Sequence, residues 1–241
     1  MSRKKKAGAV PSVRFKVGGR VLEIEEMPGV HPVDDIAKKA LAYLPVRRGD
    51  QVLDLGCGTG LYGLLAAMRG AEKVLLTDLD PLAVRCARVN ARRNGLKNVE
   101  FRVGDLFSPC KGSQFDVIIA NLPQTPGPVP FLLSKWGGPD GTLHLRRLLR
   151  EAPRYLRTGG RLFFLLHELA NHGRVARLAR RHFRLRAVFC TRRQFEPEEY
   201  DHYSPGLFAY LDHLRSKGTS RFHGRGEARW FKLRFMVATL K

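Results

Sequence analysis

The stretch Val52 to Gly60 reads VLDLGCGTG, in which an apolar run of strand length leads into glycines at every second position. A helical pattern begins directly behind it, at Leu61. Glycines at such a turn let a ligand lie against bare main chain, because no Cβ stands in the way. The stretch therefore predicts a strand–turn–helix unit of an α/β fold with a binding site at the turn.

A carboxylate stands at the end of each of the first three predicted strands: Asp54, Asp78 and Asp105. The glycine spacing is G-x-G-x-G and not the G-x-G-x-x-G of dinucleotide sites, and a carboxylate beside the turn suits an ammonium group better than a phosphate. Asp78 is placed to accept ribose hydroxyls, and Gly104-Asp105-Leu106 to contact a purine. Together the three strand ends favour a nucleoside that carries an amino-acid tail.

Strand and helix patterns alternate from Val52 to His182, which predicts a parallel sheet with helices on both faces. Residues 1–45 are predicted to form an N-terminal extension with a hairpin and a short helix, and residues 46–241 the main domain. Two more strands, at 184–190 and 230–240, enclose an inserted lid at about 194–226 that contains its own helix. An excursion of that length is often functional.

The charge of the chain is unusual: 43 Lys and Arg stand against 22 Asp and Glu, a formal net charge of +21. The excess lies mainly in the part from Arg146 onward. The usual reason for such an imbalance is a polyanionic partner, most often nucleic acid, and the alternative is a solvated surface. Arginines 177, 180, 181, 184, 186, 192 and 193 are a candidate phosphate-binding strip.

The four cysteines form no C-x-x-C pair and are too sparse for a secreted disulfide scaffold. No window approaches the ~18 apolar residues of a membrane span, and the first ten residues lack a signal-peptide core. These patterns predict a cytoplasmic protein that does not enter membranes. The Lys4–Lys6 run is interpreted as a solubilising tail, with an RNA-binding arm as the alternative.

At its motifs the chain resembles the class I S-adenosylmethionine-dependent methyltransferases. VLDLGCGTG is similar to their first motif, LLTDLDPLAVRCARVNARRNGL to their second and VGDLF to their third. The resemblance implies a doubly wound, seven-stranded, mostly parallel Rossmann-like sheet with an antiparallel last strand. It also implies S-adenosylmethionine as cofactor and S-adenosylhomocysteine as product. The cofactor-binding residues that it implies are Asp54, Gly56, Cys57, Gly58, Gly60, Asp78, Leu79, Asp105, Leu106 and Asn121.

Asn121-Leu122-Pro123-Gln124 follows the fourth predicted strand, where methyltransferases of planar amino groups carry Asn or Asp, Pro, Pro and an aromatic residue. The chain thus resembles the small methyltransferase domain subgroup, which includes glutamine-amide and ribosomal RNA N-methyltransferases. An Asn oxygen and a carbonyl fixed by a following proline can accept both protons of an NH₂ group, so Asn121 and Pro123 are the predicted catalytic residues. Leu122 and Gln124 depart from the pattern, and the lost aromatic removes a stacking platform for a flipped base. Asn121 either holds the acceptor, caps the strand end or touches the cofactor.

The resulting prediction is an S-adenosylmethionine-dependent methyltransferase that acts on a nitrogen of ribosomal or transfer RNA. Two alternatives remain open: a protein (glutamine-amide) or small-molecule methyltransferase, and a catalytically inactive nucleic-acid-binding protein with this fold. RNA or a ribonucleoprotein is the expected partner, and a protein substrate is the second choice. His167, Glu168 and His172 lack H-E-x-x-H spacing, so no metal site is predicted.

Overall fold

The computed structural model describes residues 11–224 and 229–241. The Lys4–Lys6 run and the last residues of the predicted lid, 225 and 226, lie outside the described residues. The strands are β1 (Ser12–Val17), β2 (Arg20–Glu25), β3 (Gln51–Leu55), β4 (Lys73–Asp78), β5 (Val99–Val103), β6 (Phe115–Ala120), β7 (Leu156–His167), β8 (Phe183–Phe195) and β9 (Arg229–Leu240). The helices are α1 (Asp35–Ala40), α2 (Leu61–Met68), α3 (Pro81–Arg93), α4 (Leu143–Tyr155), α5 (His172–Ala179), α6 (Pro197–Tyr203) and α7 (Leu207–Ser216).

The central sheet has seven strands in the order β5-β4-β3-β6-β7-β9-β8. The pairs from β5 to β7 are all parallel, whereas β9 runs antiparallel to both β7 and β8. This arrangement confirms the predicted doubly wound, mostly parallel sheet with an antiparallel last strand. Because these strands are parallel, the carboxyl ends of β3, β4, β5 and β6 lie along one edge of the sheet. The strand order reverses between β3 and β6, and a crevice forms at this switch point.

A separate hydrophobic core fills each face of the sheet, because the central strands are apolar on both sides. One core contains Leu64 of α2 and Ala87 of α3 with the hairpin residues Leu22 and Ile24, and the other contains Leu148 of α4 with its neighbours. The helix α3 begins at Pro81, and the Asp80 side chain caps it by accepting a bond from the Leu82 N–H.

The hairpin of β1 and β2 is tied to the sheet domain through buried Asn90 of α3. Its side-chain nitrogen donates to the carbonyls of Glu25 (3.0 Å) and Thr59 (2.9 Å), and its oxygen accepts the Glu25 N–H (2.8 Å). One amide therefore connects the N-terminal extension with the loop that follows β3. The extension helix is shorter than predicted, since α1 gives way to a 3₁₀ turn at Leu41–Tyr43.

The segment between β8 and β9 differs from the sequence prediction. β8 continues through Phe195 instead of ending near Cys190, and α6 was not predicted. Pro197 at the first helical turn and the acidic residues Glu198 and Glu199 are ordinary helix-start signals, which the nearby Pro205-Gly206 obscured. We call residues 196–224 the insert; α6 and α7 pack there around Tyr200, which is 1% exposed.

Candidate active site at the carboxyl edge of the sheet

The turn between β3 and α2 is held against β4, because the Thr77 carbonyl accepts the N–H groups of both Gly56 (2.9 Å) and Cys57 (3.0 Å). Gly58 has a φ of +53°, and no atom lies within 4 Å of the position that a Cβ would occupy. Gly60 differs, since a Cβ there would lie 3.0 Å from Ala87 Cβ. The middle glycine thus leaves open space, whereas the last one lets α2 and α3 pack closely.

This turn forms one wall of a pocket at the switch point of the sheet. The other walls come from the ends of β4, β5 and β6 and from loops on either side. The lining segments are 29–34, 56–59, 77–80, 104–106, 121–123 and 132–134, with two residues from α2 and single residues from α1, α3 and α4. The pocket brings together eight of the ten predicted cofactor-binding residues and both predicted catalytic residues; Asp54 and Gly60 lie outside its lining.

Asp78 lines the pocket, and backbone N–H groups hold its carboxylate in place. Its Oδ2 accepts the Gly58 N–H and its Oδ1 accepts the Asp80 N–H, both at 3.0 Å. Each oxygen keeps a free lone pair, which is what two neighbouring hydroxyls require. Burial raises the pKa of Asp78, although these N–H groups oppose the shift.

Asp105 and Leu106 form the next part of the pocket edge. Leu106 is in the left-handed region (φ 46°), where a non-glycine residue is strained, and such strain is concentrated at functional sites. Both Asp105 oxygens are bonded to Arg147 of α4, at 3.0 and 2.9 Å. The carboxylate is half exposed, so this pair orients it more than it stabilises the fold.

Gln124 stands where the family pattern has an aromatic residue, and its side chain is buried and hydrogen-bonded. It is 2% exposed, and its Nε2 donates to the carbonyls of Leu165 (2.9 Å) and Leu122 (3.3 Å), while its Oε1 accepts the His167 N–H (3.3 Å). The side chain therefore fixes the peptide before Pro123 against the end of β7. The sequence predicted only the loss of an aromatic ring at position 124 and not these hydrogen bonds.

Asp54 lies beneath the glycine turn and not on the pocket surface. It is 2% exposed, and its Oδ2 accepts the N–H of Gly63 in α2 at 2.8 Å. Burial raises the pKa of Asp54 to about 7, with a smaller contribution from the Asp78 charge. Its geometry is that of a support for the turn, and direct contact with a ligand stays a prediction.

The insert packs against the loop of residues 131–139, part of which lines the pocket. Phe131 stacks on Tyr203 with ring centroids 6.4 Å apart, the Lys135 ammonium lies 4.9 Å from the same Tyr203 ring, and the Tyr210 hydroxyl donates to the Pro139 carbonyl at 3.0 Å. Within the described part of the chain, no insert residue lines the pocket itself. The insert thus positions the wall that carries Leu132 and Leu133, which are 44% and 61% exposed at the pocket mouth.

Glu168 anchors the end of the insert to the sheet. It is 1% exposed, accepts bonds from Arg234 (2.9 Å) and the Lys232 N–H (3.1 Å), and lies 3.5 Å from His223. The neighbouring His167 is buried, and burial lowers its pKa to about 3. Among residues 11–224 and 229–241, no group of three or more His, Cys, Asp and Glu side chains could hold a metal ion.

Asp34 and Tyr62 are among the polar residues of the pocket lining that were not predicted as site residues. Asp34 ends the segment that closes one side of the pocket, and Tyr62 is the second residue of α2. The Tyr62 hydroxyl is buried and has no hydrogen-bond partner among the described residues. A lone hydroxyl in the otherwise apolar helix sequence LYGLLAAM was the available signal. The pocket thus contains a buried hydroxyl without a partner among the described residues, a glycine that leaves open space and a carboxylate held by backbone N–H groups.

Residues 22–196 match the family model described as the methyltransferase small domain. The chain belongs to this family. It is therefore an S-adenosylmethionine-dependent methyltransferase, and S-adenosylmethionine is its cofactor. The match begins inside the predicted N-terminal extension, at the second strand of the hairpin, and ends at the beginning of the insert.

Relatives of this methyltransferase act on different kinds of acceptor. A protein of Methanocaldococcus jannaschii named as a candidate protein N5-glutamine methyltransferase is 35% identical over 152 residues, 58% of this chain and 76% of that protein. The ribosomal RNA small subunit methyltransferase C of Chromohalobacter salexigens is 36% identical over 157 residues, 62% of this chain but only 42% of its own length. The ribosomal protein L11 methyltransferase of Thermosipho africanus is 45% identical over 95 residues, which are 35% of that protein's length.

Solved structures share the fold. A 16S rRNA methyltransferase of T. thermophilus, solved with AdoMet and guanosine, has a TM-score of 0.58 at 19% identity; the match covers 97% of this chain and 51% of that one. Trm5b of Pyrococcus abyssi has a TM-score of 0.59 at 16% identity, with 95% and 56% covered. In the described part of this methyltransferase, no helix combines the length and apolar character needed to cross a membrane.

Proposed function

We propose that this methyltransferase transfers the methyl group to a planar NH₂ nitrogen of RNA, with ribosomal or transfer RNA as the substrate class. The observation that carries the proposal is the position of Asn121, Leu122 and Pro123 in the lining of the pocket that also contains the glycine turn and Asp78. A site for an acceptor and a site for a nucleoside cofactor therefore adjoin within one crevice.

In this proposal the acceptor NH₂ donates one proton to the Asn121 side-chain oxygen and the other to the Leu122 carbonyl. The Leu122 carbonyl is held by Pro123 on one side and by the Gln124 amide on the other, at 3.3 Å. A carbonyl oxygen has two lone pairs, so one remains for the acceptor. With both protons engaged, the nitrogen lone pair points away from the ring or amide plane and toward the methyl donor.

The bound cofactor supplies a sulfonium that activates the methyl group, so no strong general base is required and the proton leaves after transfer. The chain contributes alignment and exclusion of water. Holding two reactants in line can supply roughly 7–11 kcal/mol of the barrier. Asn121 and Pro123 are therefore proposed as the residues that orient the acceptor, and Asn121→Ala should act on turnover more than on cofactor affinity.

For the cofactor, we propose that Gly56, Cys57 and Gly58 flank the methionine part, that Asp78 accepts the ribose hydroxyls, and that Asp105 with Leu106 and Leu79 borders the adenine. Asp54 and Gly60 are proposed to support the turn from below, because one bonds the Gly63 N–H and the other faces Ala87.

RNA is favoured as acceptor by the net charge of +21. Arg184 and Arg186 of β8 line a groove with Arg47 and Arg161 at the opposite edge of the sheet from the pocket, and only Arg161 of these forms an ion pair among the described residues. The candidate strip is not one surface, however. Arg177 lies in α5 and Arg180 caps its C-terminus, and this helix packs on the other face. Arg193 is bound to Glu199.

A protein glutamine side chain is the second candidate acceptor, because its amide presents the same planar NH₂ group. The relative named for glutamine methylation is covered over 76% of its length, more than the RNA-modifying relative. The buried Gln124 also leaves no aromatic platform at that position, and exposed Leu132 and Leu133 border the pocket mouth instead.

Labelled methyl donor incubated with separated RNA and protein fractions of a cell extract decides between the two. We expect the label in RNA, and we expect RNA retention on filters to fall steeply between 50 and 200 mM salt, with a shallower slope for the R184E/R186E variant. Label confined to protein, or RNA binding that does not change with salt, would remove RNA as the acceptor. Asn121→Ala should abolish labelling while binding S-adenosylhomocysteine like the wild type.

A further inference from the structure

The Tyr62 hydroxyl needs a partner that the chain itself does not provide. The side chain is 6% exposed, and its ring packs edge-on against Phe163 with centroids 6.2 Å apart. Its hydroxyl oxygen is buried and makes no hydrogen bond to any described residue. Buried hydroxyls are almost always bonded, so such an atom in a pocket lining marks a position where a ligand completes the site.

Besides being buried, the Tyr62 hydroxyl is close enough to Asp34 and Asp54 for their charges to raise its pKa. Tyr62, Asp34, Ala37, Cys57 and Gly58 all line the pocket, and we call them the turn end of the pocket. Asp34 caps α1 through one oxygen, which accepts the Ala37 N–H at 2.6 Å, and its second oxygen makes no hydrogen bond among the described residues. This end of the pocket therefore contains one free hydroxyl and one free carboxylate oxygen.

The electrostatics of this end favour a cation. Burial raises the pKa of Tyr62 well above its ordinary value, and the negative charges of Asp34 and Asp54 raise it further. The hydroxyl therefore stays neutral at physiological pH. The charges that act on it are those of Asp34 and Asp54, and Asp34 in turn interacts with Lys38 and Lys135. Asp54 is poorly placed to meet a ligand directly, because it lies under the turn and its Oδ2 is used by the Gly63 N–H. Asp34, by contrast, lines the pocket.

We propose that the Tyr62 hydroxyl oxygen and the free Asp34 carboxylate oxygen together bind the α-ammonium group of the cofactor's amino-acid tail. The ammonium donates to both oxygens, which supplies the partner that the buried hydroxyl lacks. The opposite end of the pocket, with Asp78 and Asp105, then receives the nucleoside. This proposal concerns only cofactor binding, so it stands or falls independently of the acceptor.

Tyr62→Phe tests the proposal because it removes one oxygen and keeps the ring packing against Phe163. Calorimetric titrations compare S-adenosylhomocysteine with 5′-methylthioadenosine, which lacks the amino-acid tail. We expect the Kd for S-adenosylhomocysteine to rise about tenfold, about 1.4 kcal/mol, and the Kd for 5′-methylthioadenosine to stay unchanged. Asp34→Asn, which keeps a good helix cap, should give the same pattern. The matched control is Tyr43→Phe, an exposed ring stacked on Phe189 outside the pocket, which should change neither value.

Equal weakening of both ligands would overturn the proposal, since it would assign Tyr62 to packing, and so would unchanged binding of S-adenosylhomocysteine. A decarboxylated analogue of S-adenosylhomocysteine separates the two charges of the tail. The Tyr62→Phe penalty should persist with this analogue, because the ammonium remains. A penalty that disappears would assign the hydroxyl to the carboxylate and refute the ammonium site. Thermal unfolding of both variants, expected to match the wild type, shows that the fold is intact.

Discussion

Gly58→Ala should separate the two reasons for a glycine in the turn after β3, its backbone conformation and the space that it leaves. Gly58 has a φ of +53°, and an added Cβ meets no protein atom within 4 Å. A left-handed conformation costs a residue with a Cβ roughly 1–2 kcal/mol. For a chain of this size that corresponds to a melting temperature about 2–8 °C lower. The new methyl group also projects into the pocket, where crowding of a well-packed ligand costs about 1–3 kcal/mol, or roughly 5- to 150-fold in affinity.

Gly18→Ala is the matched control, because Gly18 has a φ of +50°, likewise has no atom within 4 Å of an added Cβ, and lies in the hairpin turn away from the pocket. Differential scanning fluorimetry should show similar losses of thermal stability for the two variants. Calorimetry with S-adenosylhomocysteine should show weaker binding only for Gly58→Ala. Wild-type affinity in Gly58→Ala, together with the expected loss of thermal stability, would refute the idea that the cofactor lies against this part of the backbone.

Three further substitutions test the buried polar groups around the site. Gln124→Met keeps the volume but leaves three backbone groups without a partner, so urea unfolding should give a free energy of unfolding lower by roughly 2–4 kcal/mol. Asp54→Asn keeps the oxygen that accepts the Gly63 N–H and removes a carboxyl whose folded pKa of about 7 lies above its unfolded value. The folded state keeps that proton to a higher pH than the unfolded state does. The free energy of unfolding of the wild type should therefore fall relative to that of the variant by up to roughly 4 kcal/mol as the pH rises from about 4 to about 7. If the two proteins show parallel dependence of this free energy on pH, the reasoning is wrong. Glu168→Ala leaves Arg234 without its buried partner and should lower the free energy of unfolding by roughly 2–4 kcal/mol, whereas Glu168→Gln should lower it by less.

Much of the fold could be predicted from local patterns. An apolar run followed by alternate glycines, as at Val52–Gly60, leaves little choice of backbone, and Asp80-Pro81 at the start of α3 is an unambiguous helix beginning. The secondary-structure predictions were wrong where several local sequence signals overlap. The helix α6, close to Pro205-Gly206, was not predicted. The strand β8 extends beyond the apolar residues that predicted it, because it pairs with β9 along its length even where its side chains are exposed arginines.

The residues of the pocket, by contrast, depend on strand order. Asp78 ends a strand, and Asp105 and Asn121 each come shortly after one. Only the order β5-β4-β3-β6 places these strand ends around one crevice. The local sequence determined which residues end strands, because that depends on backbone conformation and on apolar periodicity over a few residues. Contacts between residues far apart in the chain decided what each side chain does. Tyr62 and Asp34 come together in the lining of one pocket, Gln124 bonds the end of β7, and Asp54 lies below the turn. Burial and the partners of a polar group are set only when distant segments pack together.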